Sequence, residues 1–188
     1  GPARRRASRR LAPAVRRVAP AAQGATAKPD AAIDSSSAVA VLSRASAGRG
    51  AGVPGEDVVA ALSALEAGPT PAITQSRVEG RYELIFSESL AKLPFIEGYM
   101  PTMEVLEFDF AGQQRMSLAI ETLPFFPAME VVGEDCSYDE ATRTISYCIR
   151  GKSEVSRWAV IHADETFLAA RSSVTGLNIC RRLSVPGQ

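Results

Sequence analysis

The run Met103-Glu104-Val105-Leu106-Glu107-Phe108-Asp109-Phe110-Ala111-Gly112 decides the fold class. Glu104, Leu106, Phe108 and Phe110 fall on one face, and Met103, Val105, Glu107 and Asp109 on the other. Alternation with a period of two is the pattern of a half-buried strand. Ala111-Gly112 then turns the chain into a second alternating run through Met116, Leu118 and Ile120. On the N-terminal side, Tyr82, Leu84 and Phe86 alternate with Arg81, Glu83 and Ile85. On the C-terminal side, a Pro-bounded piece at 124–127 precedes Met129, Val131 and Val132. Ile145, Tyr147 and Ile149 then alternate with Thr144, Ser146 and Cys148, and Gly151-Lys152 leads into 155–162. Phe167 and Leu168 lie in a further short run, and Thr175-Gly176 opens a last one with Leu177 and Ile179.

These are eight strands joined mostly by short turns, which makes successive strands antiparallel neighbours. Eight such strands can close into an up-and-down barrel, wide enough for packed side chains or for one small ligand. Closure also removes exposed sheet edges. The expected fold is therefore mainly β, an antiparallel up-and-down barrel of about eight strands. One helix is expected before it, at 57–67. There Val58, Ala61, Leu62 and Leu65 recur at helical spacing, acids occupy the first turn and Gly68-Pro69 ends the pattern.

The remaining sequence, toward the N-terminus, has a different character. The chain holds 21 basic and 21 acidic residues, yet residues 1–49 carry nine Arg and one Lys against Asp30 and Asp34 alone. Eleven basic and nineteen acidic residues follow, so the two parts have opposite net charge. All twelve aromatic residues lie at Tyr82 or beyond. A segment with no aromatics and few large aliphatics buries too little surface to offset its ordering entropy. Residues 1–50 are accordingly expected to be a disordered, Arg-, Ala- and Ser-rich presequence, cleaved between Leu42 and Gly52, with the folded domain at 51–188. Few acids, many Arg and no apolar run after the basic start fit an organelle transit peptide better than a secretory signal. The other reading of a basic tail, nucleic-acid binding, lacks aromatics interleaved for stacking, so no nucleic-acid partner is expected. No run of eighteen apolar residues exists, so no helical transmembrane span is expected.

Chemistry-bearing motifs are sparse. Neither phosphate-binding glycine signature is present. The three cysteines Cys136, Cys148 and Cys180 have no metal-ligand spacing, and the acids Asp135, Asp139 and Glu140 lack the spacing of a calcium loop and read as a solvated hairpin tip. No metal and no cofactor are expected. The lone histidine, His162, reads as a strand-end side chain near solvent, with a general base or haem ligand as the sharper alternative. Glu104, Glu107 and Asp109 could pair as carboxylates, although Glu107 and Asp109 are expected to face solvent. The large inward candidates are Tyr82, Leu84, Phe86, Phe108, Phe110, Met116, Leu118, Tyr147, Trp158 and Phe167. They suit either a filled core or an apolar pocket. Asp164 and Arg171 are expected near a barrel end, either as a surface pair or as a half-buried pair that closes it.

Two stretches resemble one family. Val78-Glu79-Gly80-Arg81-Tyr82-Glu83-Leu84-Ile85-Phe86-Ser87 is similar to the opening strand of the plastid lipid-associated proteins, or fibrillins. The run from Arg157-Trp158 through Asp164-Glu165 and Phe167-Leu168-Ala169-Ala170-Arg171 to Gly176-Leu177-Asn178-Ile179-Cys180-Arg181-Arg182 is similar to that family's closing pattern. Tyr82 stands where the family usually has Trp. The resemblance spans about 55–183. It implies a lipocalin-like barrel, targeting to the chloroplast, and association with lipid at the thylakoid or plastoglobule surface. The function it implies is non-enzymatic binding of a small hydrophobic ligand such as a carotenoid, quinone or acyl lipid. Tyr82, Leu84, Phe86, Phe108, Phe110, Leu118, Tyr147, Trp158 and Phe167 would be the ligand-lining residues. Two other readings stand beside it: a structural coat or assembly factor with a filled core, and a barrel enzyme or haem binder using His162.

Overall fold

A computed structural model describes residues 34–69, 71–121 and 129–184. Eight strands form one closed antiparallel barrel in sequence order, β8 completing it against β1. They are β1 Gly80–Ser87, β2 Met103–Asp109, β3 Arg115–Glu121, β4 Met129–Asp139, β5 Thr144–Ile149, β6 Val155–Ala163, β7 Phe167–Ser172 and β8 Gly176–Arg182. Each alternating run read from the sequence lies in one of these strands, and the architecture is lipocalin-like. The Pro-bounded piece at 124–127 lies outside the described residues.

The helical part is larger than expected. Besides α2 (Gly55–Ala67) there are α1 (Ser35–Ala45) and a single-turn α3 (Gln75–Val78). Asp34 caps α1, its carboxylate accepting from the Ser36 and Ser37 amides at 2.9 Å. The serine hydrogen bonds hold that carboxyl well below its ordinary value. Ala38, Leu42 and Ala45 of α1 are fully buried. They join Val58, Ala61 and Leu62 of α2 and the outward residues Ile85, Phe86, Ile161, Phe167, Leu177 and Ile179 in one cluster. The expectation that residues 1–50 contribute no core is therefore corrected for 34–50, and the expected cleavage window falls within packed structure. The small residues of α1 bring two helices close, an arrangement that large-residue counting overlooks. The Arg-rich tract at 4–17 lies outside the described residues.

Three β-bulges break the period of two. In β1 the register shifts between Leu84 and Phe86, so Leu84 stays in the barrel while Ile85 and Phe86 both lie under the helices. In β6 a shift between Val160 and His162 leaves Val160 inside and Ile161 outside. In β4 the shift falls between Glu134 and Ser137, with Asp135 at φ 54. Asp135 is thus a bulge residue within a strand and is not part of a hairpin tip. Asp139 and Glu140 do lie at the exposed turn, where Asp139 accepts from the Ala141 and Thr142 amides at 2.9 and 3.3 Å.

The two barrel ends differ. The β1 start, β2 end and β8 end meet at one end, which Ile73 and Val78 plug. The Tyr82 hydroxyl donates to Val78 O at 2.8 Å, and the Tyr138 hydroxyl to Ile73 O at 3.1 Å. Arg182 donates to the Tyr82 hydroxyl at 2.6 Å and to Glu79 O at 3.1 Å, and its guanidinium lies 4.9 Å from the centre of the Tyr82 ring. Glu79 in turn accepts from the Phe110 amide at 3.1 Å. The opposite end carries no such plug among the described residues.

Candidate functional site

A cavity of about 360 Å³ opens at that unplugged end. Its walls are the inward residues of the upper barrel: Leu84, Leu106, Met116, Leu118, Val131, Tyr147, Ile149 and Trp158. Glu104, Lys152, Ser172, Val174 and Thr175 form the mouth. This volume is at the small end of the range for ligand sites, about 300–1,000 Å³. The lower half of the barrel is solid. Tyr82, Phe108 and Phe110 are buried there with Tyr138, Ile145 and Leu168. Phe108 meets Trp158 edge-on at 6.0 Å and stacks on Phe110 at 6.1 Å. Core and pocket thus coexist, divided along the barrel axis.

The nine expected ligand-lining residues separate into three groups. Leu84, Leu118, Tyr147 and Trp158 line the cavity. Tyr82, Phe108 and Phe110 face the same interior but fill its closed half. Phe86 and Phe167 do not face the interior at all and pack beneath the helices. For Phe86 the cause is the β1 bulge. For Phe167 it is that both faces of β7 are apolar, since helices cover the outer one, so alternation cannot say which side faces in. Val131, Ile149, Val174 and Lys152 are cavity residues that sequence reasoning did not select.

Asp164 and Arg171 do not pair. Arg171 faces out and binds Glu66 of α2 through two hydrogen bonds of 2.6 and 2.7 Å, with Glu88 at 3.7 Å. Asp164 sits at the plugged end. It pairs with His162 at 2.9 Å and accepts from the Thr166 and Phe167 amides at 2.7 and 2.9 Å. Desolvation, the largest influence, raises its pKa, but these hydrogen bonds together outweigh it and bring the carboxyl down to about 2. The pair fails because the residues lie toward opposite ends of β7.

His162 stacks on the outward Phe167 at 4.8 Å and does not line the cavity. Cys180 faces the barrel interior, so a thiol–imidazole pair with His162 is ruled out by their opposite faces. Burial pushes the Cys136 thiol up to about 12 and the Cys180 thiol higher, which suppresses thiolate chemistry. Among the described residues no cluster of three or more His, Cys, Asp or Glu could hold a metal ion, and no helix is long and apolar enough to cross a membrane.

Leu93, Phe95, Met103, Met129, Val155 and Val174 are the exposed large apolar side chains among the described residues. Each belongs to a strand end or connection at the cavity end of the barrel. The class that fold and site define is a closed eight-stranded antiparallel barrel with one plugged end and, among the described residues, an apolar cavity that reaches the other. No family model matches the chain, and no curated protein is significantly similar to it.

Proposed function

We propose that this chain is a non-enzymatic binder of one small hydrophobic molecule, working at a plastid lipid surface. The observation that carries the reading is the half-hollow barrel: an apolar cavity reaching the end whose strand ends and connections carry the exposed large apolar side chains. Exposed apolar side chains beside a mouth that leads into an apolar cavity suit delivery of a ligand from a lipid phase. The resemblance to the plastid lipid-associated proteins and the Arg-rich N-terminus support the location. A fusion of residues 1–50 to a fluorescent reporter tests it, since cytosolic or mitochondrial signal would overturn the plastid assignment. The cavity favours a binder over a coat with a filled core, and the outward His162, held by Asp164, argues against a haem or general-base role.

Trp158 is the one tryptophan of the chain and stands in the cavity wall. Titration of the delipidated full chain with a carotenoid, a quinone and a fatty acid should quench or shift its emission saturably. Silence toward all three would overturn the reading.

A further inference from the structure

Few polar atoms reach the cavity, and most are already committed. The Ser172 hydroxyl accepts from the Val174 and Thr175 amides at 3.1 and 3.3 Å. The Thr175 hydroxyl donates to Asn178 Oδ1 at 3.2 Å, and the Tyr147 hydroxyl accepts from the Trp158 indole at 3.1 Å. Lys152 stands exposed in the turn between β5 and β6.

Glu104 differs from all of these. It lies on the inward face of β2, two residues before Leu106 and opposite Ile120 of β3. It is partly buried, and its carboxyl forms no ion pair among the described residues. Burial pushes that carboxyl above its ordinary value, and the Thr102 hydroxyl draws it only partly back. A partly buried carboxyl with no ion pair among the described residues keeps hydrogen-bonding capacity to offer at the mouth of an apolar cavity.

We propose that Glu104 is the polar anchor of the cavity and selects apolar molecules that end in a hydroxyl group. The inference rests on the cavity being a ligand site. An ionised carboxyl accepts from a hydroxyl, and a protonated one can both donate to it and accept from it. A hydroxyl therefore satisfies Glu104 in either state. A carboxylate head group meets a like charge whenever Glu104 is ionised. A plain hydrocarbon leaves Glu104 unpaired, and a carbonyl is served only by the protonated form.

The test compares dodecanol, dodecane and dodecanoate, each below its solubility limit, on the delipidated full chain at neutral pH, read by Trp158 emission. Dodecanol should bind about tenfold tighter than dodecane, the ratio that a net gain of about 1.4 kcal/mol confers. Dodecanoate should bind more weakly than dodecanol. Glu104→Leu should abolish the advantage of the alcohol while keeping dodecane binding. Glu104→Gln should keep that advantage and tighten dodecanoate, because the amide hydrogen-bonds without the charge. An alcohol advantage that survives in Glu104→Leu, or dodecanoate as the tightest ligand of the unaltered chain, overturns the anchor and leaves the cavity standing. Binding of none of the three overturns the ligand site as well.

Discussion

Replacing Phe86 by Ala tests which side of the barrel wall that ring occupies. The ring is fully buried, meets Tyr99 edge-on at 5.6 Å and lies across Gly98. Gly98 has φ 89, and a Cβ there would come within 2.2 Å of the Phe86 ring, so backbone and ring are in close contact. Leu42, Leu62 and Ile179 complete the cluster. Truncation leaves a void walled partly by main chain, at the β1 bulge and at Gly98, which relaxes less readily than side chains. Phe→Ala changes in such settings cost about 3–5 kcal/mol, of which the edge-on aromatic pair accounts for about 0.5–1.5. Urea unfolding followed by circular dichroism should show a lower midpoint at unchanged slope. Ligand affinity of the folded protein should stay the same, because the ring belongs to the helix side. A stability loss under about 1 kcal/mol, or a fall in affinity with stability intact, would refute this placement.

Arg171→Ala should cost no more than about 1 kcal/mol, since the pair it breaks is partly exposed. In double-mutant cycles it should couple to Glu66→Ala and add independently to Asp164→Asn; coupling to Asp164 would restore the barrel-closing pair. The folded pKa of Asp164 lies below its ordinary 3.8, at about 2, so its stabilisation is full above about pH 4 and is lost as pH falls through about 2. Asp164→Asn should therefore cost about 2 kcal/mol at neutral pH, with the deficit against the unaltered chain shrinking in acid; a deficit independent of pH would contradict the assignment. A chain lacking residues 1–50 should melt several degrees below one lacking only 1–33, because burial of Leu42 alone is worth about 1.5–3 kcal/mol; equal melting temperatures would show that α1 adds nothing.

The eight strands were legible because six of the seven strand connections are short, β1–β2 being the exception, and most strands have one polar face. Where both faces are apolar, as at Phe167-Leu168-Ala169-Ala170, alternation carries no information about which side faces in. The bulge after Leu84 is likewise invisible to a pattern argument, since Ile85 and Phe86 are both apolar and either could face in. The sequence also shows no sign of α1 as core, for its buried residues Ala38, Leu42 and Ala45 are mostly small, and the surrounding tract is rich in Ala, Arg and Ser. Half of the cavity wall was recognisable by its large residues. Val131 and Ile149 were read as strand residues without a role, and Lys152 only as part of a turn, because size and aromaticity were the guide. The sequence puts Glu104 on the face of Leu106, Phe108 and Phe110, but gives it no role beyond a possible pair of carboxylates. Its place at the mouth of the cavity emerges from strand register and barrel closure.

The central claim is that the open half of the barrel holds a hydrophobic molecule. Native mass spectrometry and solvent extraction of the full chain, purified without detergent from a lipid-rich source, test it most directly. The unaltered protein should retain an apolar compound in stoichiometric amount. Leu118→Trp, which fills the cavity from β3 while leaving the closed half untouched, should fold and retain none. Equal retention by both proteins, or none by either, would contradict the account.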